Sequence, residues 1–574
     1  MTGDEKYARA FMEIAEDWID HVPLNEKYAA GPWRSLDTGF RGEYWSKAIW
    51  LFHDSPTLTE AFLQKYYDSM ILQAEHIMEC HSAYRYMSNW GVIENHGLFE
   101  IGVCLPQSEK TKQFIAFAVK NLEVQVRMQI MPDGVHWEQS PMYHNEVLHC
   151  LLDVILLAKR NDIALPDVIL RQTEKMAMAD VAWLKPDHHI LMMGDSDDVD
   201  VRDRISVAAY LFLNPVLRFG GFDRLDYESI WDLGMKAGEE YAGMERREPD
   251  FTSLFLEHSG NTYFRSDWSE RANFLHLHSG TMGAGHGHSD KLHIDLVVNG
   301  EDVLMDGGRY TYVSGPKRFS YKDPSGHNTI TVDDLPFTVC KDSWECSKLS
   351  QPVKENFRCT KLAEFAQAGQ LGYMDLPGGV YVNRKAVYIK PDLYVLADEM
   401  YTGDRHTYQQ YFHFNNHGTV TQNAPGEKKF PCVVYRGKMA EADFYFVSAQ
   451  VKAELKSGNI ARHYNVEEEN TVCKVTKQGE GFTSLITVID AQPGRPLSIE
   501  KLPVRSALKQ TDYPETMAEA LKITAGEKEY VVILCHQEVN SPTDLVEADG
   551  CMGYGNVIVF DKAGDVLVGD VLNW

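Results

Sequence analysis

The stretch Gly283 to Tyr312, GAGHGHSDKLHIDLVVNGEDVLMDGGRYTY, decides how this chain is read. Leu292, Ile294 and Leu296 alternate with His293 and Asp295, the period of two that belongs to a strand. Asn299-Gly300 closes a two-residue hairpin, because both residues tolerate positive φ. A hairpin here makes the surrounding chain antiparallel β. The same thirty positions gather His286, His288, Asp290, His293, Asp295 and Asp306, a density of proton-carrying and metal-binding side chains found nowhere else in the sequence. His-x-His on extended backbone puts both imidazoles on one face, which suits a metal or a proton relay. It equally fits a polar strand edge facing solvent, and three separated ligands are a weaker signal than paired CxxC knuckles. A two-residue turn at 299 and 300 also sets His293, rather than His288, directly opposite Asp306.

Downstream, GVYVNRKAVYIKPDLYVLADEM and NVIVFDKAGDVLVGDV are further strands joined by Pro-Asp and Ala-Gly-Asp turns, so stacked antiparallel sheets are expected. Upstream the period changes to that of helices. Ser55-Pro56 is expected to open one, with Leu58, Phe62, Tyr66 and Met70 along its buried stripe; a second runs from about Lys112 to Ile130, and a third from Tyr143 to Asn161. Apolar content falls and charge rises between Lys236 and Ser253, giving a helical domain at 1–240, a linker at 241–252 and β domain(s) at 253–574.

A chain of 574 residues is long enough for two or more cores. Its formal charge of −27 argues against nucleic acid and anionic membranes as partners, so an anionic substrate must meet a local basic patch. The ten cysteines contain no CxxC pair and are expected to be reduced thiols. Met1 to Val22 is acidic from the start and has no unbroken apolar run, so no secretion signal is expected and the location expected is cytoplasmic.

Two segments of the helical half stand out: SNWGVIENHG at 88–97 and DGVHWEQSPMYH at 133–144. Taken singly, each serves capping and packing at least as well as catalysis. GDSDD at 194–198 lacks the twelve-residue pattern of a calcium loop and is expected to be a solvated turn. GPKRFSYK at 315–322 supplies three cations where an anionic substrate would need them.

Together these pieces resemble the heparinase II/III-like polysaccharide lyases, a group that includes oligoalginate lyases. The resemblance rests on Asn95-His96-Gly97, the run Glu138 to His144, Gly285 to Asp290, Asp306 to Tyr312, and His327-Asn328-Thr329, in that order. It implies an N-terminal incomplete (α/α) toroid, a C-terminal antiparallel β-sandwich, and an active site in the cleft between them. It implies β-elimination at a 4-linked uronate: the proton at C5 is removed and the bond to the oxygen on C4 breaks. Asn95, helped by His96, then neutralises the substrate carboxylate; a preorganised donor contributes on the order of 3 kcal/mol. Tyr143 and His286 carry the proton transfers, Tyr143 alone if both lie on one face of the sugar. His288, Asp306 and His327 match the ligands of a structural Zn²⁺, with Asp290 placed to orient an imidazole. Trp90, Glu138, Gln139, Arg309, Tyr312, Lys317 and Arg318 are the substrate-binding candidates.

The substrate expected is a glycosaminoglycan-type uronate, heparan-like or hyaluronan/chondroitin-like, with oligoalginate as runner-up. A glycoside hydrolase using Asp133, Glu138, Asp195 or Asp197 is one competing reading, and a non-catalytic sugar- or metal-binding protein another. Association into a homo-oligomer stands open.

Overall fold

The computed structural model describes residues 3–424, 426, 428–539, 544–563 and 566–574. The chain forms two compact units. The first holds Met1–Trp137, Met142–Val181 and Val201–Arg247; the second holds Glu138–Pro141, Ala182–Asp200 and Glu248–Trp574. The change after Arg247 falls inside the expected linker. The transfer of two short pieces of the helical half to the second unit was not signalled by periodicity.

The first unit is helical. The helix expected from Ser55-Pro56 starts later, at Glu60–Cys80, because the Thr59 hydroxyl accepts a hydrogen bond from the Phe62 amide at 3.2 Å and so caps it. Phe62, Tyr66 and Met70 of the expected stripe are buried, whereas Leu58 falls before the helix and is half-buried. Glu109–Gln129 opens on a reciprocal Ser108–Thr111 capping box, and Pro141–Arg160 ends on Lys159 and Arg160, which suit the negative end of the helix dipole. Asn89–Cys104 is buried from Gly91 to Gly102. A Cβ on Gly97 would lie 2.1 Å from the carbonyl oxygen of Gly39, so this helix and Ser35–Leu51 pack backbone against backbone. That contact accounts for the glycine of Asn-His-Gly. No helix among the described residues is long and apolar enough to cross a membrane.

The second unit is antiparallel β. Its spine is the pairing of Leu393–Phe414 with Val466–Asp490 inside a 15-stranded sheet, faced by a 5-stranded sheet running from Leu497–Leu502 to Val566–Asn573. Alternation sorts the side chains into two cores. Leu393, Val395 and Ala397 pack with Leu521, Val532 and Val559 of the smaller sheet, while Tyr394 and Leu396 pack on the opposite side with Leu275, Ile294 and Phe412. Strands buried on both faces explain the near-continuous apolar runs.

The hairpin forms at Asn299-Gly300, with φ of 49° and 81°. A bulge between Leu296 and Val297 then shifts the ladder: Val298 pairs Glu301 and Val297 pairs Asp302, but Leu296 pairs Leu304. The pairing expected for His293 and Asp306 is therefore displaced by one residue. His286 lies in a turn, with the Gly287 amide bonded to the Ala284 carbonyl, and His288 in the loop that follows it, rather than on the strand, which begins at His293.

Candidate active site

In the second unit, a residue expected to sit in a solvated turn gathers two histidines and an arginine. Asp195 is fully buried. Its Oδ2 accepts from His286 Nδ1 at 3.1 Å and its Oδ1 from His288 Nε2 at 2.9 Å, while Arg318 donates to both oxygens at 2.5 and 2.8 Å. Burial alone would raise its pKa; the hydrogen bonds from the two histidines and the Arg318 charge outweigh it and hold the carboxyl well below the usual range. Asp195 is thus ionised at neutral pH. Gly194, at φ 60°, makes the approach possible: a Cβ there would meet the His286 carbonyl oxygen at 2.8 Å, and the Asp195 amide donates to that same oxygen at 2.9 Å. Because His286 donates through Nδ1, the neutral ring carries its lone pair on Nε2, the nitrogen suited to proton transfer.

His288, Asp306 and His327 come together as expected, each offering a donor atom within 4.8 Å of the others. All three are buried. His327 Nδ1 lies 2.8 Å from Asp306 Oδ2, while His288 Nδ1 and His327 Nε2 have no hydrogen-bond partner among the described residues. Two orphaned imidazole nitrogens beside a buried carboxylate fit a divalent metal of the zinc type. His293 is a neighbour: its Nδ1 stands 3.6 Å from Asp306 but accepts the Asn328 amide at 3.0 Å. Asp290 faces His278, at 3.6 Å.

Asn328 explains why His327 is followed by asparagine. Its side-chain amide donates to the carbonyls of Ile294 and Met305, and its Oδ1 accepts from the His413 amide at 2.5 Å, tying three strands behind the triad. Buried Arg384 pairs with Asp398 and donates to the carbonyls of Leu292 and Asn328, each next to a histidine of the cluster.

The three cations of 315–322 are differently employed than expected. Arg318 is enclosed and held by Asp195; Lys322 is enclosed and donates to the carbonyls of Gly285 and Ser343 at 2.5 and 3.1 Å; exposed Lys317 pairs with Glu467. Arg309 binds Asp197 through Nε at 2.7 Å and Nη2 at 3.2 Å, and donates to the Tyr312 hydroxyl. Tyr312 stacks near Trp344 and Tyr464, both at 5.2 Å. Glu138 and Gln139 are buried, Gln139 donating to the Ser259 carbonyl at 2.9 Å. Asp195, held ionised by its partners, is a poor general acid, which weighs against its use in paired-carboxylate hydrolysis.

In the helical unit, Asn95 is fully buried, its Nδ2 donating to the Gly91 carbonyl at 2.7 Å and lying 3.5 Å from Gln125 Oε1. His96 is likewise enclosed, with Glu100 and Asp153 at 3.5 Å and Glu43 at 3.8 Å around its nitrogens. Trp90 is half-buried between the guanidinium groups of Arg85 and Arg34, 4.9 and 5.1 Å from its ring. Tyr143 is half-buried in the first turn of Pro141–Arg160. Its neighbour His144 is buried and neutral, burial pushing it down to about 3; it links the Met176 carbonyl to the His136 amide and so fixes the start of the helix.

Sequence reasoning named Asp195 only as a hydrolase carboxylate or part of a solvated turn, and passed over Arg34, Arg85 and Trp344. Only Asp195 left a trace, in the glycine before an acidic run. Trp344 lies 5.3 Å from the His286 ring, and nothing in its local sequence marks it.

The comparisons bear on the family and the fold. Residues 1–215 match the family model described as heparinase II/III N-terminus, and residues 249–496 the one described as heparinase II/III-like, C-terminal. A heparin-sulfate lyase of Pedobacter heparinus is 27% identical over 60% of this chain and 51% of its own length; one of Bacteroides thetaiotaomicron is 22% identical over 70% and 56%. The chain thus spans about half the length of the curated relatives it matches. The crystal structure of heparan sulfate lyase HepC from Pedobacter heparinus superposes with a TM-score of 0.70 at 20% identity, covering 94% of this chain and 80% of that one. The fold class expected from sequence, incomplete toroid then antiparallel β-sandwich, holds. Two models of one family, matched in order across both units, and the shared fold place the protein: the chain belongs to the heparinase II/III-like family.

Proposed function

We propose that this protein is a polysaccharide lyase that cleaves a 4-linked uronate of a glycosaminoglycan-type substrate, heparan-like in the first instance, by β-elimination. The observation that carries the reading is the Asp195–His286 pair, an ionised carboxylate fixing the tautomer of a partly exposed imidazole. His286 Nε2 serves the proton transfer. The imidazolium formed when it takes the C5 proton is stabilised by the adjacent anion. Tyr143 donates to the oxygen leaving C4, or performs both transfers when they share a face. Arg34 and Arg85, flanking Trp90, supply cations and a stacking face for an anionic sugar. The curated relatives named heparin-sulfate lyase support heparan-like material over alginate.

His288, Asp306 and His327 hold a zinc ion in this reading, and its chemistry is to cross-link the loops bearing these residues. Purified protein is then expected to contain about one zinc per chain by elemental analysis. Chelation should lower the melting temperature, and a His288→Ala, His327→Ala double variant should lose both the zinc and the response to chelator. A metal-free wild type whose melting ignores chelators would refute the site.

The function is tested on defined heparan, chondroitin, hyaluronan and alginate oligosaccharides. Elimination leaves a conjugated 4,5-unsaturated uronate that absorbs in the ultraviolet, whereas hydrolysis leaves none. Ultraviolet product from heparan oligosaccharides is the expected result. Chain shortening without absorbance overturns it.

A further inference from the structure

Cys340 and Cys346 face each other across the short antiparallel pair Val339–Cys340 and Cys346–Lys348, with their sulfurs 3.4 Å apart. Both are half-buried free thiols. The five residues between them form a tight turn: the Lys341 amide donates to the Glu345 carbonyl at 2.8 Å, and Asp342 Oδ1 accepts from the amides of Trp344 and Glu345 at 2.7 and 2.8 Å. That turn is tied to the His286 loop in three ways. Trp344 sets its ring edge-on to His286 at 5.3 Å, and a Cβ on Gly285 would touch the indole at 3.1 Å. Lys322 bridges the carbonyls of Gly285 and Ser343. Cys346 Sγ also rests 3.6 Å from Met282 Sδ.

We infer that Cys340 and Cys346 are a thiol–disulfide modification site, closing a ring that acts on Trp344 and through it on the loop of His286. Opposed positions in an antiparallel pair hold Cα atoms at the separation a disulfide requires, and a small side-chain rotation brings sulfurs already in contact to about 2.05 Å. The chemistry is prepared on one side. The hydrogen bond from Cys340, opposed by burial and aided by the Lys322 charge, draws Cys346 down to about 7, so it is the attacking thiolate. With a low-molecular-weight disulfide such as oxidised glutathione, Cys346 attacks one sulfur and expels one glutathione. Cys340 then gives up its proton, attacks the Cys346 sulfur of the mixed disulfide and expels the second. Two protein thiols are oxidised to one disulfide, and one glutathione disulfide is reduced to two thiols, which take the protons. Bridging draws Cys346 toward Cys340 and away from Met282, and tightens the turn that presents Trp344.

The test uses the full chain in glutathione buffers of graded redox ratio. Oxidised protein is expected to lose two hydrogens in intact mass and two of its ten titratable thiols, with a peptide map joining 340 to 346, all reversed by dithiothreitol. The Trp344 contribution to fluorescence, taken as the difference from Trp344→Phe, should shift with it. Cys340→Ser and Cys346→Ser should show neither change. A full thiol count at oxidising ratios, or a map that places the bridge elsewhere, overturns the site. The effect on turnover rests on the lyase reading: kcat/KM should fall by about tenfold on oxidation, in keeping with the sensitivity of oriented groups to sub-ångström misplacement, while the serine variants stay constant. A bridge that forms without altering Trp344 fluorescence overturns the coupling to His286. The mass and fluorescence results stand whether or not a uronate is cleaved, so failure of the lyase reading is distinguishable from failure of this one.

Discussion

Asp195→Asn is expected to cost stability and turnover together. Asparagine keeps the volume of the side chain but replaces one acceptor oxygen by a donor, so donors from Arg318, His286 and His288 converge on a group that can no longer accept them all. Removing one partner of a buried ion pair costs about 3–5 kcal/mol, because Arg318 is left as an uncompensated buried charge. Differential scanning calorimetry should show a large fall in melting temperature. A double variant, Asp195→Asn with Arg318→Met, removes both charges and should recover much of the stability without recovering activity. His286→Ala should do the reverse, losing activity with little loss of stability, since its ring is partly exposed. An Asp195→Asn protein that melts like wild type would show that the carboxylate is not the centre of the site. The pH dependence has a definite sign. Because the folded-state pKa of Asp195 is depressed below 3.8, its stabilising contribution is fully present above that value and is lost as pH falls through the depressed one.

Tyr143→Phe should give the largest effect on chemistry alone. It deletes one oxygen from a half-buried ring at the third position of Pro141–Arg160, and the helix start remains fixed by His144. Loss of a positioned proton donor is worth about 10²–10⁴ in rate. A phenol, with a reference pKa of about 10, is a usable acid. The expected result is a fall in kcat with an unchanged melting temperature. Wild-type turnover by Tyr143→Phe on every uronate in the panel would remove Tyr143 from the mechanism.

The elements read well from sequence wherever the signal was periodic and local. Phe62, Tyr66 and Met70 line one buried stripe, and the alternation around Ile294 and Leu296 belongs to a strand. Errors came where a side chain chose between local options. Thr59 took the cap that Ser55-Pro56 was expected to provide, and one bulge at Leu296–Val297 moved the hairpin register. The cations of 315–322 misled for another reason: their number was legible, but not that two of them would be enclosed.

The order of motifs, the histidine-rich loop and the change from helix to strand were determined by the sequence itself, because each depends on neighbours along the chain or on a pattern that spans it; the His288–Asp306–His327 grouping followed only from the family resemblance. The tertiary structure decided what those groups are attached to. Asp195 meets its partners across 91, 93 and 123 positions of chain, and Trp344 reaches His286 from a turn of its own. A carboxylate's role depends on the charges and donors that enclose it, and enclosure is a property of packing; five letters, GDSDD, look the same in a solvated turn and at the centre of a buried ion cluster.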